Sequence, residues 1–326
     1  MTTKMPARSF SPTPANFFHN LQTMRALITG GAGFCGRHLA RYLSTQSVKV
    51  FTVSPRAGGE DHYQIKDVND SAGMAAAIRE SKPDFIFHLA GMTWSESPSL
   101  LYRVNVEYAA ELFKAIGQAE AKETPVLLVG TAAEYGLLSI EDLPAREDHP
   151  PHPYNHYGIS KLAQTLVGRA ASSNGHKVVV ARPSNIVGAR MPRHLLLGRI
   201  LEELDQISRG LQAPWIEVGN LDVTRDFIDV IDVVKIYWSL IRNPKAYGEI
   251  INVCSGEAIP VRTLVEGAIH LSGIHAELIH QPALMRTHDP AAYRGSTDKL
   301  SQFVEVPRFE THKTLVSIFE GVATKP

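Results

Sequence analysis

Tyr157 and Lys161 bound the segment Tyr157-Gly-Ile-Ser-Lys161, the one place where a tyrosine is followed four residues later by a lysine. On a helix that spacing puts both side chains on one face. A phenol with an ordinary pKa of about 10 is a poor acid or base at neutral pH, and an ammonium beside it favours the phenolate. Together the two groups could move a proton. A surface tyrosine and lysine without a role is the plain alternative. Upstream, Thr131 directly follows the apolar run Pro-Val-Leu-Leu-Val-Gly, so its hydroxyl could bind the same substrate oxygen.

A second pattern suits phosphate. Thr29-Gly30-Gly31-Ala32-Gly33-Phe34-Cys35-Gly36 follows a strand-like run and opens a helical one, with glycines at 30, 33 and 36. Glycine permits the tight turn and close backbone approach, and the free N–H groups of a helix start bind the phosphates of a dinucleotide. The next strand ends Val53-Ser54-Pro55-Arg56, without the acid that usually holds the ribose 2′-hydroxyl of NAD. Arg56 could pair with a 2′-phosphate, making NADP(H) the expected cofactor and NAD(H) the second candidate. A solvated turn arginine is the alternative reading. Asp67 and Val68, after a third strand signal, fall near the adenine. His149, His152 and His156 have a metal-like spacing, but prolines interleave them and no thiol or carboxylate completes a set, so no metal is expected.

These groups need a scaffold. Of 326 residues, 44% are hydrophobic and 20% charged, enough for a large buried core. The runs RALIT, VKVFTV, DFIFHLAG, PVLLVGT and KVVVARP are continuously apolar, as strands covered on both faces are, and amphipathic stretches such as YAAELFKAIGQA separate them. This alternation predicts an α/β fold: a doubly wound parallel sheet of the Rossmann kind. Residues 24–183 would form the cofactor domain. Residues 184–326, beginning in a loop, would form mainly a smaller substrate-binding lobe, with some strands and helices returning to the sheet. Residues 1–23, with three prolines and no signal-peptide pattern, are expected to be a flexible extension. Lys plus Arg and Asp plus Glu are both 33, so no basic field points to nucleic acid. No apolar run suggests a membrane span. Two cysteines at unrelated positions, Cys35 and Cys254, fit a reducing, cytoplasmic setting.

In order, Gly30/Gly33/Gly36, His88-Leu-Ala-Gly91, Asn105-Val106, Thr131-x-x-x-Tyr135-Gly136, Tyr157-x-x-x-Lys161 and Arg182-Pro183-x-Asn185 resemble the motifs of the extended short-chain dehydrogenase/reductase family. The resemblance covers about residues 24–190. It implies a catalytic triad of Thr131, Tyr157 and Lys161, with Tyr157 exchanging the proton, Lys161 also holding the nicotinamide ribose and Thr131 orienting the substrate. It also implies that Phe34, Leu89 and Ala90 lie along the cofactor and that the enzyme is a homodimer.

Gly219-Asn-Leu-Asp-Val-Thr-Arg-Asp-Phe227, with Asn252-Val-Cys-Ser-Gly256 and Arg294-Gly-Ser296, is similar to the members of that family that reduce GDP-linked 4-keto-6-deoxysugars. This implies a nucleotide-sugar substrate, GDP-linked by preference, with Thr93, Glu134, Asn185, Asn220, Arg225 and Arg286 among its contacts and the two arginines on the diphosphate or the nucleotide ribose. Two departures stand out. Ala133 replaces the acid usual two residues before Tyr135, which argues against a 4,6-dehydratase and leaves Glu134 to substitute from a shifted position. Gly188-Ala-Arg-Met replaces the family's Gly-Pro-Gly-Gln.

The expected activity is NADPH-dependent reduction at C4. A nucleotide-sugar 4-epimerase that retains its cofactor is the alternative within the class, and a non-catalytic dinucleotide sensor the alternative outside it. The missing acid after the second strand yields a direct test. Arg56→Ala should weaken NADPH binding by roughly 1.5–3 kcal/mol, the worth of a charge-assisted hydrogen bond, and leave NADH nearly untouched in a titration of both cofactors. Equal losses for both would remove Arg56 from the 2′-phosphate.

Overall fold

The computed structural model describes residues 23–285 and 290–323. The expected extension at residues 1–23 lies outside them apart from Thr23, and so does Arg286.

Seven strands form the main sheet: β1 (Arg25–Thr29), β2 (Lys49–Ser54), β3 (His62–Gln64), β4 (Phe85–His88), β5 (Val126–Val129), β6 (Val178–Pro183) and β10 (Ile250–Val253). Their order is β10-β6-β5-β4-β1-β2-β3, and every pairing is parallel. Residues alternate between the two faces along each strand. Ala26, Ile28, Phe87, Leu127, Val179 and Ala181 meet α1 (Phe34–Thr45) and α7 (Val230–Ile241) on one side. Leu27, Ile86, Val126, Leu128, Val178 and Val180 meet α2 (Ser71–Ser81), α4 (Tyr108–Gln118) and the end of α5 (His156–Ser173) on the other. Both faces are buried, which is why the runs are apolar without interruption. The chain leaves β1 toward β2 on one side and β4 on the other, so a crevice opens at the carboxyl ends of these strands.

A second layer follows β6. A three-stranded sheet joins β7 (Asn185–Val187), β9 (Thr224–Asp229) and β11 (Ala258–Pro260), and β8 (Trp215–Val218) pairs with β12 (Glu277–His280). With α6 (Leu196–Ser208), α8 (Val261–Ser272) and α9 (Thr311–Ala323) they enclose their own apolar cluster around Ile200, Ile216, Leu264 and Ile318. A short helix, α3 (Pro98–Tyr102), precedes α4. The sequence predicts a loop from Ser184, yet β7 begins at once; three residues paired to β9 are too few to show a period. Asp226 of β9, fully buried, ties the layers together. Its carboxylate accepts from the Ser255 N–H and hydroxyl at 3.0 Å each, the Gly256 N–H at 3.0 Å, the Gly295 N–H at 3.2 Å and the Ser184 hydroxyl at 3.1 Å.

Candidate active site

The glycine turn sits at the end of β1. Gly30 has φ +71°, and a Cβ there would lie 2.7 Å from the Ala90 nitrogen; a Cβ on Gly36 would run into the Gly30 carbonyl. Leu89 and Ala90 thus lie directly against the turn, and their N–H groups donate to the Thr29 carbonyl and hydroxyl, both at 3.2 Å. Phe34 begins α1, whose N-cap, Gly33, supplies no side-chain cap and whose first turn holds no acid. The first N–H groups of the helix are left for an anion.

Tyr157 and Lys161 lie on the first turns of α5, which is capped by the Asn155 carboxamide accepting the Gly158 N–H at 2.8 Å. Thr131 ends the loop after β5, and its hydroxyl is near enough to the Tyr157 phenol to favour the phenolate. Lys161 is buried, and its Nζ donates to the Val129 carbonyl at 2.5 Å and to Gln164 Oε1 at 2.7 Å. On a π-type turn at Arg103–Glu107, the buried Asn105 accepts the Met92 N–H at 2.8 Å and donates to Ser160 Oγ at 2.9 Å. The loop after β4 is thereby fastened to α5. Burial lowers the Lys161 ammonium to about 8, with Glu134 opposing. Burial also pushes the Tyr157 phenol up to about 12, against the opposing pull of the Thr131 hydroxyl. The sequence predicts that the lysine favours phenolate; here desolvation governs the phenol, and the ammonium donates to Val129 and Gln164.

The remaining predicted residues fall in three places. Arg56 is exposed two residues past β2. Asp67 pairs with Arg103 and accepts the Val68 N–H, while Val68 packs against the core. Thr93 is exposed and bonds His194 Nε2 at 3.3 Å, bridging the loops that precede α3 and α6. Asn185 heads β7 and donates to the Asp226 carbonyl at 3.1 Å, so it stands beside Arg225, whose Nη1 donates to the Thr224 carbonyl at 2.7 Å. Asn220 is exposed, accepts the Asp222 N–H at 2.9 Å and lines a cavity of about 100 Å³ with Arg262 and His280. Next to it, a Cβ on Gly219 would lie 2.7 Å from the Leu284 carbonyl, so the segment leading to residue 286 passes the same spot.

Glu134 is a correction. The sequence predicts it as a substrate contact, but the residue has no exposed surface; one oxygen accepts the Thr131 N–H at 2.8 Å and the other accepts from Arg182 Nε at 2.9 Å. A carboxylate enclosed this way supports Thr131 and presents nothing to a ligand. Sequence reasoning also passed over Gln164, Asp226 and the partner role of Arg182. Arg182 and Asp226 stand inside the motifs quoted above, so their position was a signal even though their partners were not. Among the described residues, no group of three or more His, Cys, Asp or Glu is arranged to hold a metal ion.

The NAD dependent epimerase/dehydratase family matches this chain over residues 26–254. The GDP-6-deoxy-D-mannose reductase of Pseudomonas aeruginosa is 31% identical over 283 residues, covering 85% of this chain and 90% of that protein. The dTDP-6-deoxy-L-talose 4-dehydrogenase (NAD(P)(+)) of Kitasatospora kifunensis is 31% identical over 265 residues, covering 79% and 82%. The solved structure of RMD from Pseudomonas aeruginosa complexed with NADPH superposes with a TM-score of 0.81 at 28% identity, covering 92% of this chain and 98% of that one.

Glu134→Ala leaves the Arg182 guanidinium buried without a counter-charge and should lower unfolding stability by about 3–5 kcal/mol in denaturant titration. A change under about 0.5 kcal/mol, the range of an ordinary surface substitution, would return Glu134 to the candidate ligand contacts.

Proposed function

The chain belongs to the NAD dependent epimerase/dehydratase family, and from that premise we propose that it is an NADP(H)-dependent reductase of the C4 keto group of a nucleotide 4-keto-6-deoxysugar. GDP-4-keto-6-deoxy-D-mannose is the favoured substrate and GDP-rhamnose or its epimer the product. One observation carries the reading: Tyr157 shares the start of α5 with a buried lysine, close to the Thr131 hydroxyl and to a phosphate-ready turn. The name of the Pseudomonas aeruginosa relative and the NADPH in its structural neighbour support it.

The residues fit a dinucleotide. The Gly30–Gly36 cradle, which added Cβ atoms would fill, and the uncapped start of α1 would take the pyrophosphate. Lys161 would hold the nicotinamide ribose, Arg56 the 2′-phosphate, and Asp67 and Val68 the adenosine. NADPH, when bound, supplies the hydride that the carbonyl carbon receives. Tyr157 gives its phenolic proton to the carbonyl oxygen, and its high pKa of about 12 keeps that proton in place at neutral pH. Thr131, whose hydroxyl is close to the phenol, aligns the same oxygen. Lys161, charged below about pH 8, offsets the negative charge left on Tyr157. In this reading residues 24–183 carry the cofactor and residues 184–326 mainly the sugar nucleotide, with Arg225 and Arg286 on the diphosphate or the nucleotide ribose and Thr93, Asn185 and Asn220 around it.

A homodimer is part of the proposal. Ile159 and Leu166, seven residues apart on α5, are 39% and 53% exposed, an apolar stripe suited to a second copy. A cytoplasmic setting accords with the unpaired thiols of Cys35 and Cys254.

Tyr157→Phe should lower turnover of the keto-sugar by about two to four orders of magnitude, the range of general acid catalysis, while NADPH affinity holds. Near-normal turnover would remove this mechanism. A cofactor that survives dilution and gel filtration would shift the assignment to the epimerase.

The base is tested separately, because the Kitasatospora relative is named for a dTDP-sugar. On top of saturating NADPH, GDP should raise the melting temperature more than UDP or dTDP, since a guanine-shaped pocket leaves polar groups unpaired around a pyrimidine. Ligand at about 100 times its Kd adds roughly 2.7 kcal/mol, well within the reach of a melting assay. Arg225→Ala should remove most of that shift and spare the NADPH response. A larger shift with dTDP or UDP would overturn the GDP preference alone; no shift with any would overturn the nucleotide-sugar reading.

A further inference from the structure

Arg56 is carried by an exposed loop with no apolar anchor, residues 56–61, between β2 and β3. The loop closes over one side chain, His62, the first residue of β3. Its Nε2 lies 2.8 Å from the Arg56 carbonyl and its Nδ1 2.7 Å from Thr52 Oγ1. A carbonyl only accepts, so Nε2 carries the proton and Nδ1 accepts from the threonine hydroxyl. The imidazole therefore spans from β2 to the loop with both nitrogens engaged. The loop backbone also rests on the ring: a Cβ on Gly58 would collide with the imidazole carbons. Three further bonds hold the loop's first residues, Gln64 Nε2 to the Pro55 carbonyl, the Arg56 N–H to Ser54 Oγ and the Ser54 hydroxyl to the Arg56 carbonyl, all at 3.2 Å. These are at the long end of the range, and the His62 bond is the short one.

We infer that His62 is a specificity-determining residue for the cofactor, a positioning residue that holds the Arg56 backbone so that its guanidinium meets a ribose 2′-phosphate. The inference rests on the reading of Arg56 given under the proposed function. A flexible arginine on an unbraced loop would lose ordering entropy when it bound the phosphate; a braced loop loses less, so the brace strengthens binding only of the phosphorylated cofactor. NADH, without that phosphate, makes no use of it.

The test is a titration of the full-length protein with NADPH and with NADH, in wild type, Arg56→Ala, His62→Ala, His62→Gln and the Arg56→Ala/His62→Ala double variant, each checked by thermal melting. His62→Ala should raise the NADPH Kd about 5- to 20-fold, as a loss of preorganisation does, and move the NADH Kd by less than about twofold. His62→Gln, whose amide N–H can stand in for Nε2–H, should restore most of the loss. The double variant should bind NADPH no more weakly than Arg56→Ala, because His62 acts through Arg56. If Arg56→Ala discriminates between the cofactors and His62→Ala does not, or if His62→Ala weakens both equally, the inference is wrong and the role of Arg56 stands. If neither variant discriminates and wild type binds both cofactors alike, the 2′-phosphate reading fails and takes the inference with it.

Discussion

Glu134, a carboxylate with no solvent access, meets the Arg182 guanidinium at 2.9 Å, and much of the candidate site hangs from that contact. Each charge loses hydration worth several kcal/mol on burial, so the pair is tolerable only if the remaining polar atoms are also satisfied. They are. Glu134 takes the Thr131 N–H and so fixes the residue whose hydroxyl is close to Tyr157. Arg182 lies 5.0 Å from the Tyr135 ring centroid, and the Tyr135 hydroxyl donates to Asn252 Oδ1 at 2.7 Å. Asn252 in turn donates to the Ala145 carbonyl at 2.9 Å. One buried pair thus links the loop after β5, the edge of β6 and β10. The same negative charge helps keep Lys161 an ammonium where burial favours the neutral amine.

Asp226 solves a similar problem with neutral partners. Its acceptor sites are filled by three backbone N–H groups and two serine hydroxyls from three separate stretches of chain. Desolvation raises its pKa while those bonds pull it down. Glu134 organises the proton-transfer end of the cleft. Asp226 organises the other side, where Asn185 and Arg225 flank its backbone.

A chain with 33 basic and 33 acidic residues attracts no anion at long range, so binding of a charged ligand must come from local groups. The groups on hand are of two kinds. The start of α1 offers backbone dipoles that need no side chain, whereas the proposed contacts of Arg56 and Arg225 depend on the loop and strand beneath them for their aim.

The alternation of apolar runs and amphipathic stretches determined the parallel sheet, because two-sided burial leaves its mark on every residue of a strand. Glycine spacing marked the turn for a related reason: a missing Cβ is a property of the residue itself, and at Gly30 and Gly36 the fold has no room for one. The Tyr157-x-x-x-Lys161 pair was legible because one helix carries both residues. Tertiary structure alone decided what depends on partners distant in sequence. Glu134 read as a ligand contact until Arg182, 48 residues away, claimed its carboxylate. The phenol of Tyr157 is governed by desolvation, which spacing does not reveal, and Asp226 became a hub only when Ser184, Ser255 and Gly295 converged on it. Local backbone chemistry is written in consecutive residues; burial and charge pairing arise when distant segments meet, and only the fold states which ones do.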